Sequence, residues 1–300
     1  MLTKKKTCPG DGSCSSNGIC GSDGTCTCKG NWSGSDCSTR RLIAFGYKQD
    51  DTGVLSFSDD NGVTWNNKNT SIDYSQIIYG SNVLIGVGYD PTNKSPFFIS
   101  RSNLNWNTVG ISSDMFGLGN GITYAQKIGR YVAVGGQGET SIAYCDESDD
   151  MSFVGIINSS DIFTEGMGVI YGSDKFVAVG IGLYSIAYSI DGKTDWKGVD
   201  IDSNNIFTIG YSVTFNGKVF VAVGEGLYSI AYSSDGINWQ GVEDNNIFTT
   251  AGYSVIWNGK VFVAVGEGKY SIAYSSDGKT DWKGVPNSND ILFTTGYSVV

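Results

Sequence analysis

One five-residue string, repeated along the chain, limits the folds open to it. Phe176-Val-Ala-Val-Gly180 recurs as Phe220-Val-Ala-Val-Gly224 and Phe262-Val-Ala-Val-Gly266. Weaker copies are Tyr131-Val-Ala-Val-Gly135, Leu84-Ile-Gly-Val-Gly88 and Leu42-Ile-Ala-Phe-Gly46. The closing glycines stand at 46, 88, 135, 180, 224 and 266, at intervals of 42 to 47 residues. A period of that length suits one four-stranded blade of a β-propeller.

The fifth unit shows how a repeat divides. Gly210-Tyr-Ser-Val-Thr-Phe215 reads as a first strand, and Asn216-Gly217 is a hairpin turn. Val219 to Gly224 is a continuous apolar run, the pattern of a strand covered on both faces. Tyr228-Ser-Ile-Ala-Tyr-Ser233 alternates as a third strand, and Asp235-Gly236 turns into Asn238-Trp239-Gln-Gly-Val242 at the outer edge. With 42 glycines, 4 prolines and no sustained 3.6-residue apolar period, the chain is expected to be all-β. The first unit starts at its second strand, from Arg41, whereas Gly296-Tyr-Ser-Val-Val300 supplies a first strand and then stops. Both features fit a six-bladed propeller over residues 42–300, with residues 296–300 closing it in the first blade and removing the exposed sheet edges. An open solenoid running past residue 300 is the alternative.

The turn between third and fourth strands carries a second pattern. Ser58-x-Asp60-x-Gly62-x-Thr64-Trp65 resembles the Asp-box of sialidase-like propellers. Ser189, Asp191, Gly192 and Trp196 form a degenerate copy, as do Ser233, Asp235, Gly236 and Trp239, and Ser275, Asp277, Gly278 and Trp282. The second unit keeps Ser100, Asn103 and Trp106, and the third has Phe153 for the tryptophan. The resemblance implies a scaffold role: Asp accepts backbone N–H bonds, Gly takes positive φ, and Trp packs on its own blade. A sialidase would also need three arginines, a tyrosine–glutamate pair and an acid aspartate. The four arginines are Arg40, Arg41, Arg101 and Arg130, with no Arg-Ile-Pro segment, so those catalytic residues have no counterparts. Zero histidines exclude His-based triads and most catalytic metal sites. Gly224-Glu-Gly226 precedes a strand, which is wrong for a phosphate loop. Cys145 reads as a buried thiol, with an interchain disulfide as the other reading. No catalytic residue, cofactor or metal is expected; a degenerate glycosidase using a carboxylate pair is the reading left to the enzymes.

Six of seven cysteines crowd into Cys8-x5-Cys14-x5-Cys20-x5-Cys26-x-Cys28-x8-Cys37. So short a segment cannot bury enough apolar surface unaided and is expected to be held by disulfides. Six cysteines allow fifteen connectivities, and a zinc site is disfavoured by the missing histidines and paired knuckles. Cys26-Thr-Cys28 followed by Gly30, Trp32, Gly34 and Cys37 resembles the second half of an EGF-like domain, although Asn31 shifts the aromatic. The resemblance implies Cys8–Cys20, Cys14–Cys26 and Cys28–Cys37. Lys4-Lys5-Lys6-Thr7 stands where calcium-binding members carry acids, so calcium is not expected. The domains are thus a tail at 1–7, the module at 8–37, a linker at 38–41 and the propeller.

A net charge of −10, from 20 basic and 30 acidic residues, argues against nucleic acid and anionic membranes as partners. No apolar run approaches the roughly 18 residues of a membrane helix. Disulfides call for an oxidising compartment, yet residues 1–7 leave no room for an apolar signal region. Either the chain is part of a longer processed protein, or its disulfides are installed on a virus particle; the repeats are similar in style to those of surface proteins of large DNA viruses of protists. Protein partners or self-assembly are therefore expected at an extracellular or virion surface, with glycan binding as the alternative. The second-to-third and fourth-to-first connections of a blade share one face. Tyr184, Tyr228, Tyr270, Glu225 and Glu267 are the candidate binding residues there, beside loops at Phe163, Phe207, Phe248 and Phe293. The competing reading makes these phenylalanines core and the tyrosines packing.

Overall fold

The repeated apolar string becomes a strand in each of six antiparallel sheets; in five it pairs with a strand that precedes it, and in the first, among the described residues, it is the leading strand. The computed structural model describes residues 7–10, 12, 14–28, 32–47, 53–80, 83–101, 104–112, 115–148, 150–199, 206–243, 247–291 and 294–299. Lys4, Lys5, Lys6, Gly30, Asn31, Asn103, Phe293 and Val300, which entered the reading above, lie outside the described residues. The chain divides into two units, 1–110 and 111–300.

In the first unit, Cys8 bonds Cys20, Cys14 bonds Cys26 and Cys28 bonds Cys37. Two short ladders accompany them: Gly18–Cys20 with Cys26–Cys28, and Trp32–Ser33 with Thr39–Arg40. Cys8, Cys14 and Cys37 are the buried centre of this segment, with Trp32 packed on them and Arg40 stacked over its indole at 5.1 Å. Sulfur, rather than aliphatic side chains, holds the segment together. Sheet I then runs Leu42–Tyr47, Gly53–Ser58, Asn66–Asn69, and has three strands. Sheet II has four: Asp73–Gly80, Val83–Tyr89, Phe97–Ser100 and Trp106–Thr108.

The second unit holds sheets III to VI, each laid down strand beside strand in chain order. Sheet III runs Leu118–Ala125, Arg130–Gly136, Ile142–Asp146, Ser152–Gly155, with Gly110–Ile111 added at its outer edge. Sheet IV runs Glu165–Gly172, Lys175–Ile181, Ile186–Ser189, Lys197–Gly198. Sheet V comprises Ile209–Phe215, Phe220–Glu225, Ile230–Ser233 and Trp239–Gly241. Sheet VI comprises Ala251–Trp257, Phe262–Glu267, Ile272–Ser275 and Lys283–Gly284. One helical turn, Ser288–Ile291, follows.

Why the string reads Phe-Val-Ala-Val is visible in the packing. Side chains alternate between faces of a strand, so Phe and Ala share one face and the two valines the other. Val177 and Val179 of sheet IV pack against Phe220 and Ala222 of sheet V. Val221 and Val223 pack in turn against Phe262 and Ala264 of sheet VI. A bulky valine face thus meets a face where alanine makes room, and the string repeated in register fills the gaps between sheets III and IV, IV and V, and V and VI. Trp239 and Trp282 enter the same layers beside the preceding sheet's valines, so packing on their own sheet is only part of their role. Phe153, standing where the third unit lacks tryptophan, is fully buried.

Sheets II to VI also share a feature the repeat did not announce. The pairing of first with second strand slips by one residue, at Ser75, Asn120, Met167, Tyr211 and Tyr253 in sheets II to VI. Such a bulge bends the strand and re-aims the extra side chain. In sheets III to VI the first strands lie side by side, and backbone approaches backbone: a Cβ on Gly121 would lie 3.1 Å from Met167 O. Serines bridge the later pairs, with Val255 N–H donating to Ser212 Oγ at 3.3 Å. Gly296–Val299 takes the next place in this row, since Val299 N–H donates to Ser254 Oγ at the same 3.3 Å. The segment bonds Gly266 O through Gly296 N at 3.0 Å, and residues 296–299 form no ladder of their own.

The turns into the fourth strands are organised by aspartate. Asp60 receives Thr64 N–H at 2.8 Å, Thr64 Oγ1 at 2.6 Å and Ser58 Oγ at 2.7 Å. Asp235 receives Ile237 and Asn238 N–H, both at 2.8 Å, and Asn238 Nδ2 at 2.7 Å. In sheets IV and VI an extra carboxylate, Asp195 or Asp281, also takes the N–H of Ile190 or Ser276 at 3.1 Å. Bonds from Thr64 pull the Asp60 carboxyl down to about 2. Burial opposes ionisation of Asp235, yet the Asn238 and Ile237 bonds outweigh it and hold that group near about 2. Asp191 and Asp277 are lowered further, their hydrogen bonds again overcoming burial. A carboxyl whose pKa falls on folding stabilises the fold above its unfolded value, and this contribution is lost as pH drops through the folded one. Thermal melts should therefore fall progressively from about pH 4 to about pH 2. The Asp235→Asn variant should lose part of that acid slope, and an unchanged slope would mean the turn aspartates are not its source.

Candidate functional site

The bulges place one side chain from each first strand of the second unit along a common row. Asn120 comes first, its Nδ2 donating to Glu165 Oε1 at 2.9 Å and to Gly166 O at 3.0 Å, with Met167 Sδ at 3.7 Å. Three tyrosines continue it. The rings of Tyr211 and Tyr253 are 5.2 Å apart, and those of Tyr253 and Tyr297 are 5.5 Å apart. Tyr211 donates its hydroxyl to Glu225 Oε2 at 3.4 Å, and Tyr253 donates to Glu267 Oε2 at 3.3 Å. The two glutamates close the second strands directly after the repeat glycines, which puts both at the same height.

Burial first, then the neighbouring carboxylate, pushes the Tyr211 and Tyr253 phenols above their ordinary range. Both hydroxyls therefore remain neutral donors at physiological pH. The arrangement offers three carboxylates, aromatic faces and an amide, a surface suited to a cationic, hydrogen-bonding partner. Leu183 and Leu227, at one loop position of sheets IV and V, are exposed. Tyr297 is the most open of the tyrosines, at 74% exposure.

The structure sorts the candidate residues into two groups. Glu225 and Glu267 belong to the tyrosine row just described. Tyr184, Tyr228 and Tyr270 lie elsewhere: a Cβ on Gly198, Gly241 or Gly284 would fall 2.1–2.3 Å from their rings, so each ring lies flat on a glycine of its own fourth strand. Their amides bond Ile162, Ile206 and Ile247 carbonyls at 3.1–3.2 Å, which ties the second-to-third connection to the fourth-to-first. Phe163, Phe207 and Phe248 are at most 2% exposed and form inter-sheet core. Sequence reasoning overlooked Tyr211, Tyr253 and Tyr297, whose Gly-Tyr-Ser-Val setting was read as plain strand. The signal was present as a tyrosine recurring where sheets III and IV carry Asn120 and Met167.

Cys145 is buried, with Sγ 3.9 Å from Met151 Sδ, and burial pushes its thiol up to about 11, so it is a poor nucleophile. The sulfurs of Cys8, Cys14 and Cys20 lie within 4.8 Å of one another, but all three are committed to disulfides and offer no thiolate to a metal. No helix among the described residues is long and apolar enough to cross a membrane.

No family model matches the chain, and no curated protein matches it. Solved structures do resemble it. One is a nidogen/laminin complex, at 12% identity and TM-score 0.51, covering 86% of this chain and 96% of that one. A streptogramin B lyase shares 10% identity at TM-score 0.55, over 81% of this chain and 82% of the other. YCF48 bound to D1 peptide shares 14% identity at TM-score 0.54, over 85% and 82%. At such identities the likeness concerns fold alone, and that fold is the β-propeller with a disulfide-rich segment before it.

Proposed function

We propose that this chain is a non-enzymatic contact protein of an extracellular or virion surface, which meets a protein partner through the tyrosine–carboxylate row. In this reading the propeller has six Asp-box blades over residues 42–300, closed by residues 296–300 against the first. Residues 8–37 are an EGF-like spacer joined to it by the linker at 38–41. The observation that carries the function is the recurring bulge, which turns Asn120, Met167, Tyr211 and Tyr253 out of ordinary pairing and aligns them with Glu165, Glu225 and Glu267. A strand that served only the core would need no such distortion in each of sheets II to VI. Three disulfides favour an oxidising location. Two of the similar structures carry the names of protein or peptide complexes, nidogen/laminin and YCF48 with D1 peptide, which is in keeping with a protein-binding propeller.

The charge of the row points to a basic segment as the part of the partner that docks. Selection of displayed peptides on the intact chain should enrich Arg- and Lys-containing sequences. The Glu225→Gln/Glu267→Gln variant should bind them at least about tenfold more weakly, the size of about 1.4 kcal/mol in lost charge pairing. Added salt should weaken the unaltered chain more than the variant. Peptides that bind both proteins equally, or a selection that enriches no basic sequence, would sink the assignment.

A further inference from the structure

Away from the tyrosine row, at the outer edges of sheets V and VI, lies a groove of about 490 Å³ lined by Tyr228, Tyr232, Gln240, Glu243, Lys279 and Thr280. Its volume falls in the range of roughly 300–1,000 Å³ typical of small-ligand clefts. We infer that this groove is a binding site for a short neutral oligosaccharide.

The lining chemistry selects that class. Tyr232 donates its hydroxyl to Gln240 Oε1 at 2.6 Å, which orients the amide and leaves its N–H groups as donors. Lys279 sits 5.8 Å above the Tyr232 ring and is steadied by Ser234 Oγ at 3.2 Å. Thr280 gives its proton to Asp277 Oδ2 at 2.9 Å, so its oxygen faces outward as an acceptor. Glu243 adds an exposed carboxylate acceptor. A sugar ring combines an apolar C–H face with hydroxyls that both donate and accept. The groove supplies tyrosine rings for the first and matched donors and acceptors for the second. One ammonium and one carboxylate balance each other, which removes any preference for an acidic sugar.

The same position between sheets III and IV carries a second cation. There Arg130 and Lys193 both cover the Tyr144 ring, at 5.5 and 4.9 Å. Sheets IV and VI carry Lys197 and Lys283 where sheet V has Gln240. The amide, and the shorter turn of sheet V before Trp239, make this groove unlike its repeats even though the repeats are nearly identical in sequence. Duplication alone would have preserved the lysine.

An array of neutral and acidic oligosaccharides should show binding of the intact chain to neutral members, followed by titration of the best of them by ligand-observed NMR. A dissociation constant below about 1 mM is expected. Gln240→Ala and Lys279→Ala should each weaken it about tenfold or more, while Lys283→Ala, on the outer strand of sheet VI, leaves it unchanged. Tyr232→Phe, which keeps the ring and frees the amide, should give an intermediate loss. The site does not depend on the tyrosine row, so Glu225→Gln/Glu267→Gln should bind the sugar normally. Absence of binding at 1 mM, binding restricted to acidic sugars, or binding indifferent to Gln240→Ala and Lys279→Ala would each overturn the inference.

Discussion

Replacing Phe262 by alanine is expected to cost the second unit about 3–5 kcal/mol of unfolding free energy, the range for deleting a buried ring. Phe262 is fully buried and shares a layer with Val221, Val223, Ala264 and Trp282. Trp257 packs on it with centroids 4.8 Å apart, and the turn glycine Gly278 abuts its ring so closely that a Cβ there would lie 2.7 Å away. Backbone glycine and paired strands surround the ring, so little can collapse into the cavity. Phe176 and Phe220 stand in equivalent layers and are also fully buried, so alanine at either should cost a similar amount. Leu227, 55% exposed, should change stability by less than about 0.5 kcal/mol. Denaturant titration with disulfides intact measures all four. A cost below 1 kcal/mol at Phe262 would mean the valine and phenylalanine–alanine faces do not press together as described.

What the sequence disclosed follows from what a repeat must conserve. Phe-Val-Ala-Val-Gly is visible because both of its faces are buried in every copy, so the same volumes are needed each time. Turn aspartates are visible for a similar reason: Asp60, Asp191, Asp235 and Asp277 each collect several bonds that no other side chain supplies at that reach. The bulges were not legible. A one-residue slip leaves no compositional mark when the slipped residue is Ser75 in one sheet and Tyr253 in another. Those are the positions free to differ, because they leave the core, and for that reason they hold the candidate contacts.

Tyr184, Tyr228 and Tyr270 recur on packing grounds as well. Each ring covers a glycine of its fourth strand, Gly198, Gly241 or Gly284, and Tyr228 also lines the groove at the edges of sheets V and VI. Glu225 and Glu267 recur at the ends of second strands, and they are the members of the set that meet the tyrosine row. Recurrence alone does not separate scaffold from site; departure from recurrence is more informative, and Gln240 is the clearest case.

Gly266→Ala should destabilise the second unit by about 3 kcal/mol, at or above the usual cost of overpacking. A Cβ at Gly266 would lie 2.3 Å from Ala251 O and 2.9 Å from the Phe248 ring. The first contact is with backbone, placed there by the bulge at Tyr253, and it cannot move without undoing the pairing of the sheet's first two strands. A Cβ on Gly224, Gly180 or Gly135 would likewise meet a carbonyl oxygen at 2.2, 2.4 or 2.1 Å, which is why the repeat must end in glycine. Gly46 differs, since among the described residues nothing lies within 4 Å of its Cβ position and no strand of sheet I precedes Leu42–Tyr47. The glycine is nonetheless retained. If the ring closes as proposed, Gly46 meets a neighbouring strand as the other repeat glycines do. Gly46→Ala should then cost nearly as much as Gly266→Ala in the same denaturant titration. A neutral Gly46→Ala beside a damaging Gly266→Ala would leave sheet I with an open edge, and the closed six-bladed ring would have to be given up.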